Sequence, residues 1–129
     1  MTPFRFVPHT ADIAVELSAA DEAGLREAGI EALRELLVGT SDVRPLEERP
    51  IEPGPGEPGE RLVRFLGQVL SLYDTERFVP ARAGGAGVLG EPFDPARHRA
   101  EREVKAVTHH GAAVLRDARG LRVTIVFDV

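Results

Sequence analysis

The stretch that most constrains this chain is its last one, LRVTIVFDV, residues 121–129. Leu121, Val123, Ile125 and Phe127 alternate with Arg122, Thr124, Val126 and Asp128, which is the period of a strand buried on one face. Such a strand needs neighbours and a covering layer. RDARG, just before it, reads as a hairpin turn. From Glu103 onward the pattern is strand-like to the end, with Val104, Ala106 and Thr108 on one face and Glu103, Lys105 and Val107 on the other.

The first half carries a different period. Residues 4–7 and 11–17 read as one extended segment bent near Pro8, with Ile13, Val15 and Leu17 on a common face. Asp21 then stands where a helix cap belongs, with Glu22 in the first turn. Leu25, Ala28, Ala32, Leu33, Leu36 and Leu37 follow at helical spacing up to a stop at Gly39. Gly24 and Gly29 weaken that helix, so packing must hold it. A short strand is expected within 43–52, broken by Pro45 and Pro50. PGPGEPGE, residues 53–60, is a loop by composition. A second helix spans roughly 60–74, with Leu62, Phe65, Leu66, Val69, Leu70 and Tyr73 on its apolar face. RFVPARA (77–83) reads as a strand, GGAG (84–87) as a turn, and Val88–Leu89 as a short return. GEPFDPARHRAE (90–101) is expected to be a polar excursion pinned by prolines. Helices early and strands late predict an α+β fold, two helices packed on a mainly antiparallel β-sheet, in a single domain over 1–129.

Composition narrows the chemistry. The chain has no cysteine, which excludes disulfides, thiolate zinc sites and a cysteine nucleophile. It has six Phe, one Tyr and no Trp, so the core is aliphatic. No apolar run approaches the ~18 residues of a membrane span, and no signal-peptide pattern opens the chain; a cytoplasmic protein with no membrane partner is expected. The net charge of −5 argues against a direct grip on nucleic acid, which calls for a basic face. Neither a Walker loop nor G-x-G-x-x-G occurs. The serines are Ser18, Ser41 and Ser71, and none sits in a recognisable triad. His109 and His110, as consecutive strand residues, point to opposite faces. No H-E-x-x-H is present.

Two acids stand out. Asp12 lies beside the alternating Ile13, Val15 and Leu17, and Asp128 lies at the other end of the chain. Each alone reads as a solvated surface acid. If the first and last strands are neighbours, however, Asp12, Asp128 and the α-carboxylate expected on Val129 form one oxygen-only cluster. Like charges so placed need a cation or shifted protonation. Oxygen donors suit calcium or magnesium rather than zinc.

The segments HTADIAVEL, LYDTERFVP and GEPFDPARHRAEREVKAVTHHG, and the ending VFDV, occur in an order that resembles the archease family over nearly the whole chain. That resemblance implies a small α+β protein that assists the RtcB-type RNA ligase in tRNA splicing and RNA repair. The ligase joins a 2′,3′-cyclic phosphate or 3′-phosphate end to a 5′-hydroxyl, using GTP and manganese. An archease promotes the ligase–guanylate intermediate and multiple turnover. It is an activator rather than an enzyme, and meets RNA only through the ligase. The resemblance also implies a divalent cation, calcium first and magnesium or manganese next. It would be held by Asp12, Asp128 and Val129, with His9, Lys105 and His110 as supporting neighbours. The chain departs from the family pattern at three places. His109 stands where a Tyr is expected, segment 82–90 is short, and FLGQVLSLYD lacks the usual Trp and Asn. Two other readings predict different behaviour: a chaperone-like or regulatory protein-binding module, indifferent to chelator, and a stand-alone metal-dependent phosphoester hydrolase, active without a partner.

Overall fold

The computed structural model describes residues 3–7, 12–108 and 113–129. Its elements run β1 (Phe4–Val7), β2 (Asp12–Ala19), α1 (Glu22–Val38), β3 (Glu47–Pro50), α2 (Pro58–Glu76), β4 (Phe78–Ala83), β5 (Gly87–Pro92), β6 (Ala106–Thr108), β7 (Leu115–Asp117) and β8 (Gly120–Asp128). The α+β expectation holds: two helices pack with antiparallel strands. The strands form two sheets rather than one. The larger has the order β1-β2-β8-β6, with β7 also on β8; the smaller has the order β3-β5-β4.

The expected single segment over 4–17 is instead an antiparallel pair. Phe4 lies opposite Leu17 and Phe6 opposite Val15. The reversal puts both phenylalanines on the face that carries Val15 and Leu17, which a continuous strand could not do. The linking residues, including Pro8 and His9, lie outside the described set. β6 is only three residues long, so the expected strand over 103–105 does not form. Val107 is the β6 residue opposite the buried Phe127. Thr108 opposes Val126 while Leu115 opposes Arg122. The two pieces on this edge of β8 therefore run in registers three residues apart.

α1 forms as its sequence predicts. The Asp21 side chain accepts the Gly24 N–H at 2.8 Å, filling one of the unpaired donors of the first turn. Gly39, at φ 61°, ends the helix and donates its N–H to the Glu35 carbonyl. The two interior glycines serve packing. A Cβ at Gly29 would lie 2.8 Å from Leu66 Cδ1 of α2, and one at Gly24 would lie 2.7 Å from Ala19 Cβ of β2. α2 starts at Pro58, because proline fits the first helical turn, where no N–H is needed. Among the described residues, no helix is long and apolar enough to cross a membrane.

The core is aliphatic, as expected. Ile30, Leu33, Leu37, Leu66, Val69, Val15, Leu17 and Ile125 are all fully buried, with Phe78 and Phe127 among them. Burying each such side chain contributes about 1.5–3 kcal/mol. α1 also seals the outer edge of β4 at a bulge between Pro80 and Arg82. Arg34 donates to the Ala81 carbonyl and Glu27 accepts the Ala83 N–H, so this edge is not left open.

Candidate functional site

The site follows from register. β2 and β8 pair antiparallel along eight matched positions, from Ala19 opposite Leu121 to Asp12 opposite Asp128. Val15 opposite Ile125 and Leu17 opposite Val123 are buried pairs. A slip by one residue would turn the shifted strand's apolar set out to water. The core thus dictates that the two aspartates face each other across the strands. They share the sheet face away from Val15 and Ile125, because side chains alternate.

β6 closes the arrangement from the other side of β8. Ala106 opposes Asp128, and the Lys105 N–H donates to the Asp128 carbonyl at 2.7 Å. The two chain ends, 116 residues apart in sequence, therefore meet. Asp12, Asp128 and Val129 are all half-buried, and Lys105 is exposed. Directly opposed side chains have Cβ atoms ~5 Å apart, and like charges there are destabilising. Among the described residues neither aspartate has a basic side chain within ion-pair distance.

The structure thus brings together Asp12, Asp128 and Val129, with Lys105 next to them in the chain path. His9 and His110 lie outside the described residues, as does His109. Among the described residues no three His, Cys, Asp or Glu side chains cluster closely enough to share a metal ion. The donors described are two carboxylate side chains and the main-chain oxygen of Val129. All are oxygen, a donor type matched to hard cations.

A second charged constellation escaped the sequence reading. The expected polar excursion at 90–101 begins inside β5, and its Glu91 and His98 are only 2% and 3% exposed. Glu91 Oε2 accepts the Arg44 N–H at 2.6 Å and Arg97 Nη1 at 3.1 Å. His98 Nε2 lies 3.1 Å from the same oxygen, and Arg97 Nη2 pairs with Oε1. The Asp94 N–H donates to His98 Nδ1 at 2.9 Å. This assigns the imidazole proton to Nε2, facing Glu91. Burial pushes the Glu91 pKa up, but the Arg97, Arg44 and His98 hydrogen bonds outweigh it and hold the carboxyl at about 2. Glu91 in turn raises Arg97 above the ordinary arginine value. Every oxygen of this carboxylate is committed, so the cluster fastens the loop rather than offering a ligand site. Gly90, next to Glu91, has no room for a Cβ against the Val79 carbonyl oxygen once folded. Such crowding marks a strand interior rather than a loop.

Comparison with known proteins gives a consistent set. Residues 4–129 match the model of the Archease protein family (MTH1598/TM1083). Protein archease of Sulfurisphaera tokodaii is 28% identical over 141 residues, covering all of both chains. That of Methanopyrus kandleri is 32% identical over 127 residues, covering 89% of this chain and 91% of its own. The solution structure of Methanobacterium thermoautotrophicum protein 1598 superposes with a TM-score of 0.77 at 26% identity over the full length of both chains. The crystal structure of an archease, "possible chaperone", from Thermotoga maritima gives 0.64 at 24% identity, covering 95% of this chain and 94% of its own.

Proposed function

Because this chain belongs to the archease family, we propose that it is a cation-binding accessory protein that activates an RtcB-type RNA ligase in tRNA splicing and RNA repair. The observation that carries the metal half of this reading is the register that sets Asp12 opposite Asp128 without a basic partner among the described residues. Two facing carboxylates repel unless a cation lies between them. Calcium fits the oxygen-only donors best, with magnesium or manganese as alternatives. Asp12, Asp128 and Val129 would hold it. Calcium takes six to eight oxygens, so these residues leave positions for water or for oxygens of a partner.

When bound, a cation of this kind neutralises charge on a phosphoryl group, the main electrostatic demand of phosphoryl transfer. The protein's own contribution is positional. β2 and β8 hold the carboxylates at a strand end, where they can enter a ligase cleft. Lys105, held to Asp128 through its N–H, would be a supporting neighbour of the ion. Turnover belongs to the ligase in this account, and RNA is met only through it.

The test is guanylylation and ligation by the matching ligase, with its manganese supplied throughout, with and without this protein. Activation should be lost in Asp12→Asn and Asp128→Asn, both folded. The words "possible chaperone" attached to the Thermotoga maritima relative suggest a second reading, a protein-binding chaperone. It predicts stimulation that survives both substitutions. Phosphoester hydrolysis without any ligase would point to a metal-dependent hydrolase instead.

A further inference from the structure

The end of α2 and the segment leading into β6 enclose an open groove of about 430 Å³. Its walls are fixed at several points. The Glu101 N–H donates to the Leu37 carbonyl at 2.9 Å, and the Arg99 N–H to Ser41 Oγ at 3.0 Å. The residue after Val104 is also tied down, the Lys105 N–H donating to the Asp128 carbonyl at 2.7 Å. Tyr73 and Val104, both buried, form the groove's floor, while Asp74, Arg77, Arg102 and Glu103 line its rim.

Arg77 is unusual on two counts. It is the only described non-glycine residue with positive φ, at 55°, a conformation that glycine adopts at lower cost. Its guanidinium is also stacked on two rings, 4.7 Å from the Tyr73 centroid and 5.0 Å from that of Phe93. The Phe93 N–H completes the clamp by donating to the Arg77 carbonyl at 2.7 Å. Stacking leaves the edge of the guanidinium free, and among the described residues no carboxylate lies within ion-pair distance of it. Tyr73 is 5% exposed, and its hydroxyl has no hydrogen-bond partner among the described residues. Tyr73 lines the groove. The rim and floor thus present two donors, the stacked guanidinium of Arg77 and the phenol of Tyr73. The rim also presents Asp74, Arg102 and Glu103, none of them ion-paired among the described residues.

We infer that this groove is a second docking point for the protein partner, receiving a carboxylate side chain of the ligase on Arg77 and Tyr73, with basic side chains of the same segment beside Asp74 and Glu103. A guanidinium edge matches a planar carboxylate. The rim acids oppose an RNA phosphodiester strand, which carries no positive charge to place beside them. The inference rests on the ligase reading above, but concerns affinity rather than activation.

The experiment measures the Kd of the full chain for the purified ligase without RNA, then with an RNA oligonucleotide added. Arg77→Gly removes the guanidinium at a backbone position glycine prefers, and Tyr73→Phe removes only the hydroxyl. Both should keep the wild-type melting temperature within a few degrees and the wild-type calcium affinity. Arg77→Gly should weaken ligase binding about tenfold and Tyr73→Phe about threefold, the scale of hydrogen bonds to a charged group. Wild-type affinity in both variants, or no binding by the wild-type chain, would overturn the inference. A loss seen only when RNA is present would also overturn it, because it would assign the groove to phosphate. Asp12→Asn and Asp128→Asn separate the two claims. If they activate normally while Arg77→Gly binds weakly, the cation account falls and the groove stands.

Discussion

Glu91 and the Asp12–Asp128 pair are both carboxylates set on strands, yet their surroundings differ completely. Glu91 is buried and accepts from Arg97, His98 and the Arg44 N–H. The aspartates are half-buried, face each other, and find no basic side chain among the described residues. A carboxylate whose lone pairs are all used stabilises a fold. One left facing another acid costs stability unless something outside the chain supplies charge. That contrast distinguishes an internal clamp from a binding site.

The comparison breaks most visibly at Glu91. Glu91→Ala leaves the Arg97 charge and His98 without their acceptor, and breaking a buried pair costs about 3 kcal/mol or more. Thermal unfolding should show a loss of roughly 10 °C, whereas Asp12→Ala and Asp128→Ala should leave the melting point nearly unchanged without cation. Cation binding should act in the reverse sense. Calcium at ~100 times its Kd should stabilise the wild type by about 2.7 kcal/mol, read as a rise in melting temperature that Asp12→Asn and Asp128→Asn abolish and Glu91→Gln retains.

Acid provides an independent handle on the clamp. The Glu91 pKa is about 2 when folded against an ordinary 4.5. A depressed folded value means the contribution is complete above pH 4.5 and is lost as pH falls through 2. Denaturant melts between pH 5 and 2 should show the wild type losing stability faster than Glu91→Gln. Asp21 sets the lower end of the scale, because its side chain accepts a single N–H, that of Gly24. Asp21→Ala should cost about 1 kcal/mol in chemical denaturation. The smallest effect belongs to Asp12→Asn in EDTA. Removing one of two opposed charges should stabilise the chain by no more than ~0.5 kcal/mol.

Local periodicity made much of this legible. The alternation in 121–129, the Asp21 cap and the Gly39 stop all read directly from neighbouring residues, since each depends on contacts a few positions away. Asp12 and Asp128 were recognisable as a pair only on the condition that the first and last strands adjoin. That condition is topological: strand order depends on which apolar faces pack together, and nothing local to either segment records it. The β1–β2 reversal was hidden for a similar reason, because Pro8 is compatible with both a bend and a turn. Glu91 was missed because its burial depends on three groups, at Arg44, Arg97 and His98, that meet only after folding. In a Gly- and Pro-rich segment an isolated acid reads as solvent-facing.

The most direct test of the account is calorimetric titration of calcium into the metal-free wild-type chain and into the Asp12→Asn/Asp128→Asn variant. One saturable ion site in the wild type, with no measurable heat in the folded variant, is the predicted result. Equal calcium affinity in the two proteins, or none in the wild type under conditions where it is folded, would contradict the claim that the opposed aspartates form a cation site.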